Sequence, residues 1–80
     1  MKLNLLAFGI ARDILNGSSL EIEIESPCSV GELKEHLFDQ YPPLKELRSL
    51  AIAVNESYAK DEILLREKDE IVIIPPVSGG

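Results

Sequence analysis

The chain has 80 residues, 45% of them hydrophobic, enough for one globular domain over 1–80 and too few for a second. Fourteen acidic residues against eight basic ones leave a formal charge of −6, which argues against nucleic acid, since phosphate backbones select basic patches. A single cysteine allows no internal disulfide, no apolar run reaches membrane-spanning length and the first residues lack the form of a signal peptide, so the expectation is a cytoplasmic protein without membrane contact.

Met1 to Phe8 carries Leu3, Leu5, Leu6 and Phe8 and reads as a first strand. The stretch from Gly9 to Leu15 fits either a short helical turn or a wide hairpin loop. Asn16-Gly17-Ser18-Ser19 is a turn, because Asn and Gly tolerate positive φ. Leu20 to Glu25 then alternates strictly between apolar residues and glutamates, the pattern of a strand with one face in water. So close a pair of strands implies an antiparallel hairpin.

Ser29-Val30-Gly31-Glu32 has the spacing of a capping box, and Val30, Leu33, Leu37, Phe38 and Tyr41 follow on one helical stripe. Pro42-Pro43 ends that helix, with a further turn over Leu44 to Arg48. Leu50 to Val54 is a third, wholly apolar strand. A turn at Asn55-Glu56 leads to a short extended piece at Ser57 to Ala59, a loop at Lys60 to Glu62 and an apolar anchor at Ile63 to Leu65. Glu67 to Glu70 turns the chain into a last strand, Ile71 to Ile74.

The result is an α+β domain, and the helix is the one crossover long enough to allow a parallel strand pair. Ile71 to Ile74 is apolar on both parities and so belongs at the centre of the sheet. Pairing it with the first strand gives the β-grasp arrangement, a mixed sheet packed on one main helix. One helix covers one face of a sheet, yet the first and last strands are apolar on both. The surplus is either an exposed docking patch that includes Phe8, Tyr58 and Ile74, or a second small core under the irregular segments.

Candidates for chemistry within the domain are few. His36 lies off the apolar stripe, on the solvent side, and has no companions for a metal site. Cys28 precedes the helix, where a helix N-terminus lowers a thiol pKa, but it has no partner and reads as a structural thiol. Glu21, Glu23 and Glu25 form a solvated row, and no glycine-rich phosphate loop is present. What remains is the stretch after the last strand, Pro75-Pro76-Val77-Ser78-Gly79-Gly80. Two prolines stop the ladder, and the bare glycines suit either a thread that enters a narrow pocket on another protein or a plain frayed end. The Gly80 carboxylate is ionised at neutral pH and unreactive until another protein activates it.

Ala53-Val54-Asn55-Glu56, Asp69 to Ile74 and the Pro-Pro-Val-Ser-Gly-Gly ending, with Phe8 and Arg12 near the start, resemble the small subunit of molybdopterin synthase, a family of ubiquitin-like sulfur carriers. Lys68 stands where that family often has glycine. The resemblance implies that an activating enzyme adenylates Gly80 with ATP and magnesium, after which the carboxylate becomes a thiocarboxylate. It implies that Gly79 and Gly80 are the reacting end, and that Phe8, Arg12, Tyr58, Ile74, Pro75, Pro76, Val77 and Ser78 contact partners. Insertion into the large synthase subunit of a heterotetramer would deliver sulfur to precursor Z and form the molybdopterin dithiolene, with no metal or cofactor held by the small subunit itself. Two alternatives share the Gly-Gly ending: a carrier for thiamine thiazole synthesis, and a ubiquitin-like protein modifier.

Overall fold

The computed structural model describes residues 1–47 and 50–75. Strand β1 (Lys2–Ala7) leads through helix α1 (Gly9–Leu15) to strand β2 (Ser19–Glu23), then to helix α2 (Val30–Gln40) and a 3-10 turn (Pro42–Glu46). Strands β3 (Ala51–Val54), β4 (Ser57–Tyr58) and β5 (Ile71–Ile74) follow. They form one five-stranded sheet in the order β2-β1-β5-β3-β4. β1 and β5 run parallel; the other neighbouring pairs are antiparallel. This is the expected β-grasp topology, with the last strand of the sequence at its centre.

Period-two burial decides which face meets the helix. Leu3, Leu5 and Ala7 of β1, with Ile71 and Ile73 of β5, are buried. They join Val30, Leu33 and Leu37 of α2 and Leu44 of the 3-10 turn in one cluster. Phe38 and Tyr41 pack at its margin. The stripe read from the sequence is therefore the core-facing stripe, a consequence of 3.6-residue periodicity.

Local devices hold the elements in place. The capping box is complete: Glu32 N–H donates to Ser29 Oγ at 3.1 Å, and Ser29 N–H donates to Glu32 Oε1 at 2.9 Å. The Val30 and Gly31 amides donate to the Ile63 and Asp61 carbonyls at 2.8 and 3.0 Å, so two more unpaired helix donors are satisfied by the chain beside them. At the end of α1, Asn16 adopts φ 61°. Its N–H donates to Asp13 O and that of Gly17 to Arg12 O, the two bonds of a Schellman motif.

Asn55 and Glu56 both have positive φ, 52° and 71°, as a two-residue type I′ hairpin requires. The Asn55 side chain then ties this turn to the approach of β5. Its Nδ2 donates to Asp69 Oδ1, and its Oδ1 accepts from Glu70 N–H, both at 2.9 Å. Asp69 also accepts from Arg66 N–H at 2.8 Å. Lys68 is not among the positive-φ residues, so this turn needs no glycine there.

Some boundaries differ from the sequence reading, and β2 runs over Ser19–Glu23 where the alternation predicts Leu20 to Glu25. β1 stops at Ala7, and Phe8 instead caps α1 in extended conformation, φ −133° and ψ 164°. The helical alternative for Gly9 to Leu15 is the one adopted, because Ala11 and Leu15 bury against the core. The prolines at 42 and 43 do not merely end α2; they open the 3-10 turn, where their missing N–H groups are no loss. Arg48 lies outside the described residues.

Candidate functional site

Among the described residues, no layer covers the sheet face turned away from α2. Register fixes what lies across it: Leu6 sits beside Val72, Val72 opposite Ala53, and Ala53 opposite Tyr58. One step along, Ile74 faces Ala51. Ala7 pairs with Ile73, so the next residue, Phe8, arrives at the level of Ile74. Phe8 is 56% exposed and Tyr58 75%, while Leu6 is 37% exposed and Ile10 on α1 50%. Val72 and Ile74 are half-buried. Among the described residues, no second small core forms over this face. Ala53 is buried here although it is not part of the core cluster.

Phe8, Tyr58 and Ile74 are thus brought to one face. Leu6, Val72 and Ile10 belong with them and were not singled out from the sequence. For Leu6 and Val72 the signal was available, because both occupy the outward parity of strands apolar on both sides. Ile10 gave no such signal, since its helix was one of two alternatives.

The patch ends where the chain leaves the sheet. Pro75 follows β5 and is half-buried. Gly9 has φ +57°, and a methyl group placed on it would lie 3.5 Å from Pro75 Cγ. The start of α1 therefore flanks the first step of the chain beyond β5. Arg12, one turn along the same helix, is exposed and makes no ion pair among the described residues. Pro76, Val77, Ser78, Gly79 and Gly80 lie outside the described residues.

Elsewhere the chemistry is quiet. Cys28 is buried, and burial first and the Glu32 carboxylate second push its thiol pKa above the ordinary value. Position before a helix does not activate it, because both influences disfavour the thiolate. Among the described residues no three His, Cys, Asp or Glu side chains gather as a metal site would need, and His36 is partly covered. No described helix is long and apolar enough to cross a membrane.

The sequence pattern of the ThiS family matches residues 5–80. A molybdopterin synthase sulfur carrier subunit from Arabidopsis thaliana is 32% identical over 81 residues, covering all of this chain and 84% of the relative. Among solved structures, a complex of subunits 1 and 2 of molybdopterin-converting factor from Helicobacter pylori includes a chain that matches with a TM-score of 0.67 at 26% identity, with both chains fully covered. The small archaeal modifier protein 1 of Methanosarcina acetivorans matches with a TM-score of 0.77 at 28% identity, covering 99% of this chain and 96% of the other.

Proposed function

The chain belongs to the ThiS family, and from that premise we propose that it is the sulfur carrier subunit of a molybdopterin synthase. The observation that carries this reading is an apolar, unpartnered sheet face running to the exit of β5, in a chain whose relatives bear that name over its full length. Phe8, Tyr58 and Ile74 seat the carrier on a large subunit, and Pro75 and Pro76 direct Val77 to Gly80 into it. Arg12 borders the same exit and contacts the partner there.

The chemistry follows from a carboxylate that is a poor electrophile. An activating enzyme, using ATP and magnesium, joins the Gly80 carboxylate to AMP with loss of pyrophosphate. A sulfur donor then displaces AMP, leaving one sulfur where one oxygen was. The thiocarboxylate sulfur is nucleophilic and forms a carbon–sulfur bond at precursor Z as a carbon–oxygen bond there breaks and its oxygen departs; water then cleaves the acyl–sulfur bond, returning the carboxylate, and a second such transfer completes the dithiolene. Glycine at 79 and 80 lets a narrow channel close on the backbone. The domain contributes docking and reach, and the catalytic groups come from its partners in a heterotetramer with two large subunits.

Intact-mass measurement after incubation with an activating enzyme, ATP and a sulfur donor tests this. A species with one oxygen replaced by sulfur at Gly80 is expected; its absence with every cognate activating enzyme overturns the reading. A second reading, a protein modifier joined through Gly80 to lysines, is favoured by the likeness to the Methanosarcina modifier. Denaturing gels of cell extract separate the two, since a modifier gives covalent ladders and a dedicated carrier gives none.

A further inference from the structure

We propose that the free edge of β2 is a docking site for an extended, basic segment of a partner protein, which adds to the sheet as a sixth strand. β4 closes the opposite edge with two residues, whereas β2 presents five. Hydrogen bonding to β1 uses alternate residues of β2. Ile24 exchanges both its backbone bonds with Met1, and Ser18 accepts from Ala7 N–H. In that phase Ile22 and Leu20 face Leu3 and Leu5 as bonded pairs. The N–H and C=O groups of Ser19, Glu21 and Glu23 therefore point away from β1, and none of them has a partner among the described residues.

Side chains set the chemistry of the occupant. Glu21 and Glu23 are exposed on the uncovered face and make no ion pair among the described residues, although Lys2 stands opposite Glu23. Leu20, Ile22 and Ile24 alternate with them on the core side and are only partly covered. A strand laid along this edge meets carboxylates on one face and apolar margin on the other. Lysine or arginine at alternate positions, with β-branched residues between, satisfies both. The same glutamates oppose a second copy, since pairing β2 with β2 sets carboxylates against carboxylates. β2 lies two strand spacings, about 10 Å, from β5, so an occupant here leaves the exit of β5 clear.

The full chain, labelled with nitrogen-15, is titrated with a synthetic peptide of alternating lysine and valine and with its glutamate–valine counterpart. At saturation with the lysine peptide, amide exchange at Ser19, Glu21 and Glu23 is expected to slow about tenfold, while Leu20 and Ile22, already bonded, keep their rates. E21K/E23K should lose the lysine peptide and gain the glutamate one; E21Q/E23Q should weaken lysine-peptide binding several-fold if charge reversal harms folding. Unprotected amides, equal binding of both peptides, or protection arising from self-association in sedimentation each overturn the proposal.

Discussion

Phe8 combines large area with 56% exposure, and the docking role proposed for it says what its loss should do. Phe8→Ala should leave the melting temperature nearly unchanged, because little native packing is removed, yet weaken binding to a large subunit by about 2 kcal/mol. Calorimetric titration checks this, and unchanged affinity would remove Phe8 from the interface. Glu56 shows the opposite economy. A side chain at φ 71° is strained where glycine is not, so Glu56→Gly should stabilise the domain by about 1 kcal/mol in urea unfolding. Cys28 sets a pH dependence. Its folded pKa is raised above the ordinary 9.0, so its contribution to stability is whole at lower pH and declines as pH rises through the folded value. Alkylation at neutral pH should accordingly be slow in the native protein and rapid in denaturant, and fast native labelling would contradict burial as the cause.

Helix α2 was legible almost to the residue, because capping and burial point the same way. Ser29 and Glu32 fix its start, and Leu33 and Leu37 fix its inner face. What the sequence did not announce is the chain laid against its first turn. A methyl group on Gly31 would meet Asp61 Cβ at 3.1 Å and Asp61 O at 3.4 Å, closer than ordinary packing. The same approach carries the Gly31 amide to the Asp61 carbonyl and brings Lys34 Nζ within 2.9 Å of Asp61 Oδ1. Gly31→Ala should therefore cost more than a helix-propensity gain returns, lowering stability by roughly 1–2 kcal/mol. Lys34→Ala, which removes an exposed ion pair, should cost under about 1 kcal/mol. Comparing the two by chemical denaturation tells backbone proximity from charge. Short elements were harder to read: the ends of β1 and β2 shifted by one or two residues, since alternation alone does not say where a ladder stops.

At the scale of the molecule, the parity argument carried furthest. Two strands apolar on both sides and one helix to cover them left a surplus face, and the structure leaves that face open around Phe8 and Tyr58. The choice between a docking patch and a second core was not legible, because it depends on whether irregular segments fold back over the sheet. Here Ile63 to Leu65 go to the helix side instead, bridging Ser29 through Leu64. The role proposed for Gly80 came from family resemblance and from the want of rival chemistry, not from any pattern in the core. Adding one alanine after Gly80 should abolish thiocarboxylate formation while leaving thermal unfolding unchanged; persistent sulfur loading in the mass spectrum would refute the assignment.

The central place of β5 has a consequence for synthesis on the ribosome. Ile71 to Ile74 are translated after every other strand of the sheet, yet β5 joins β1 to β3. Until it emerges, the nascent chain consists of two hairpins with no strand between them and much of the core exposed. Folding must wait for it, a requirement for long-range pairing that slows closure. A message cut short before Ile71 would yield a chain that cannot close its sheet and is open to proteases. The sheet thereby acts as a checkpoint on synthesis: a compact domain is one whose translation has already passed β5.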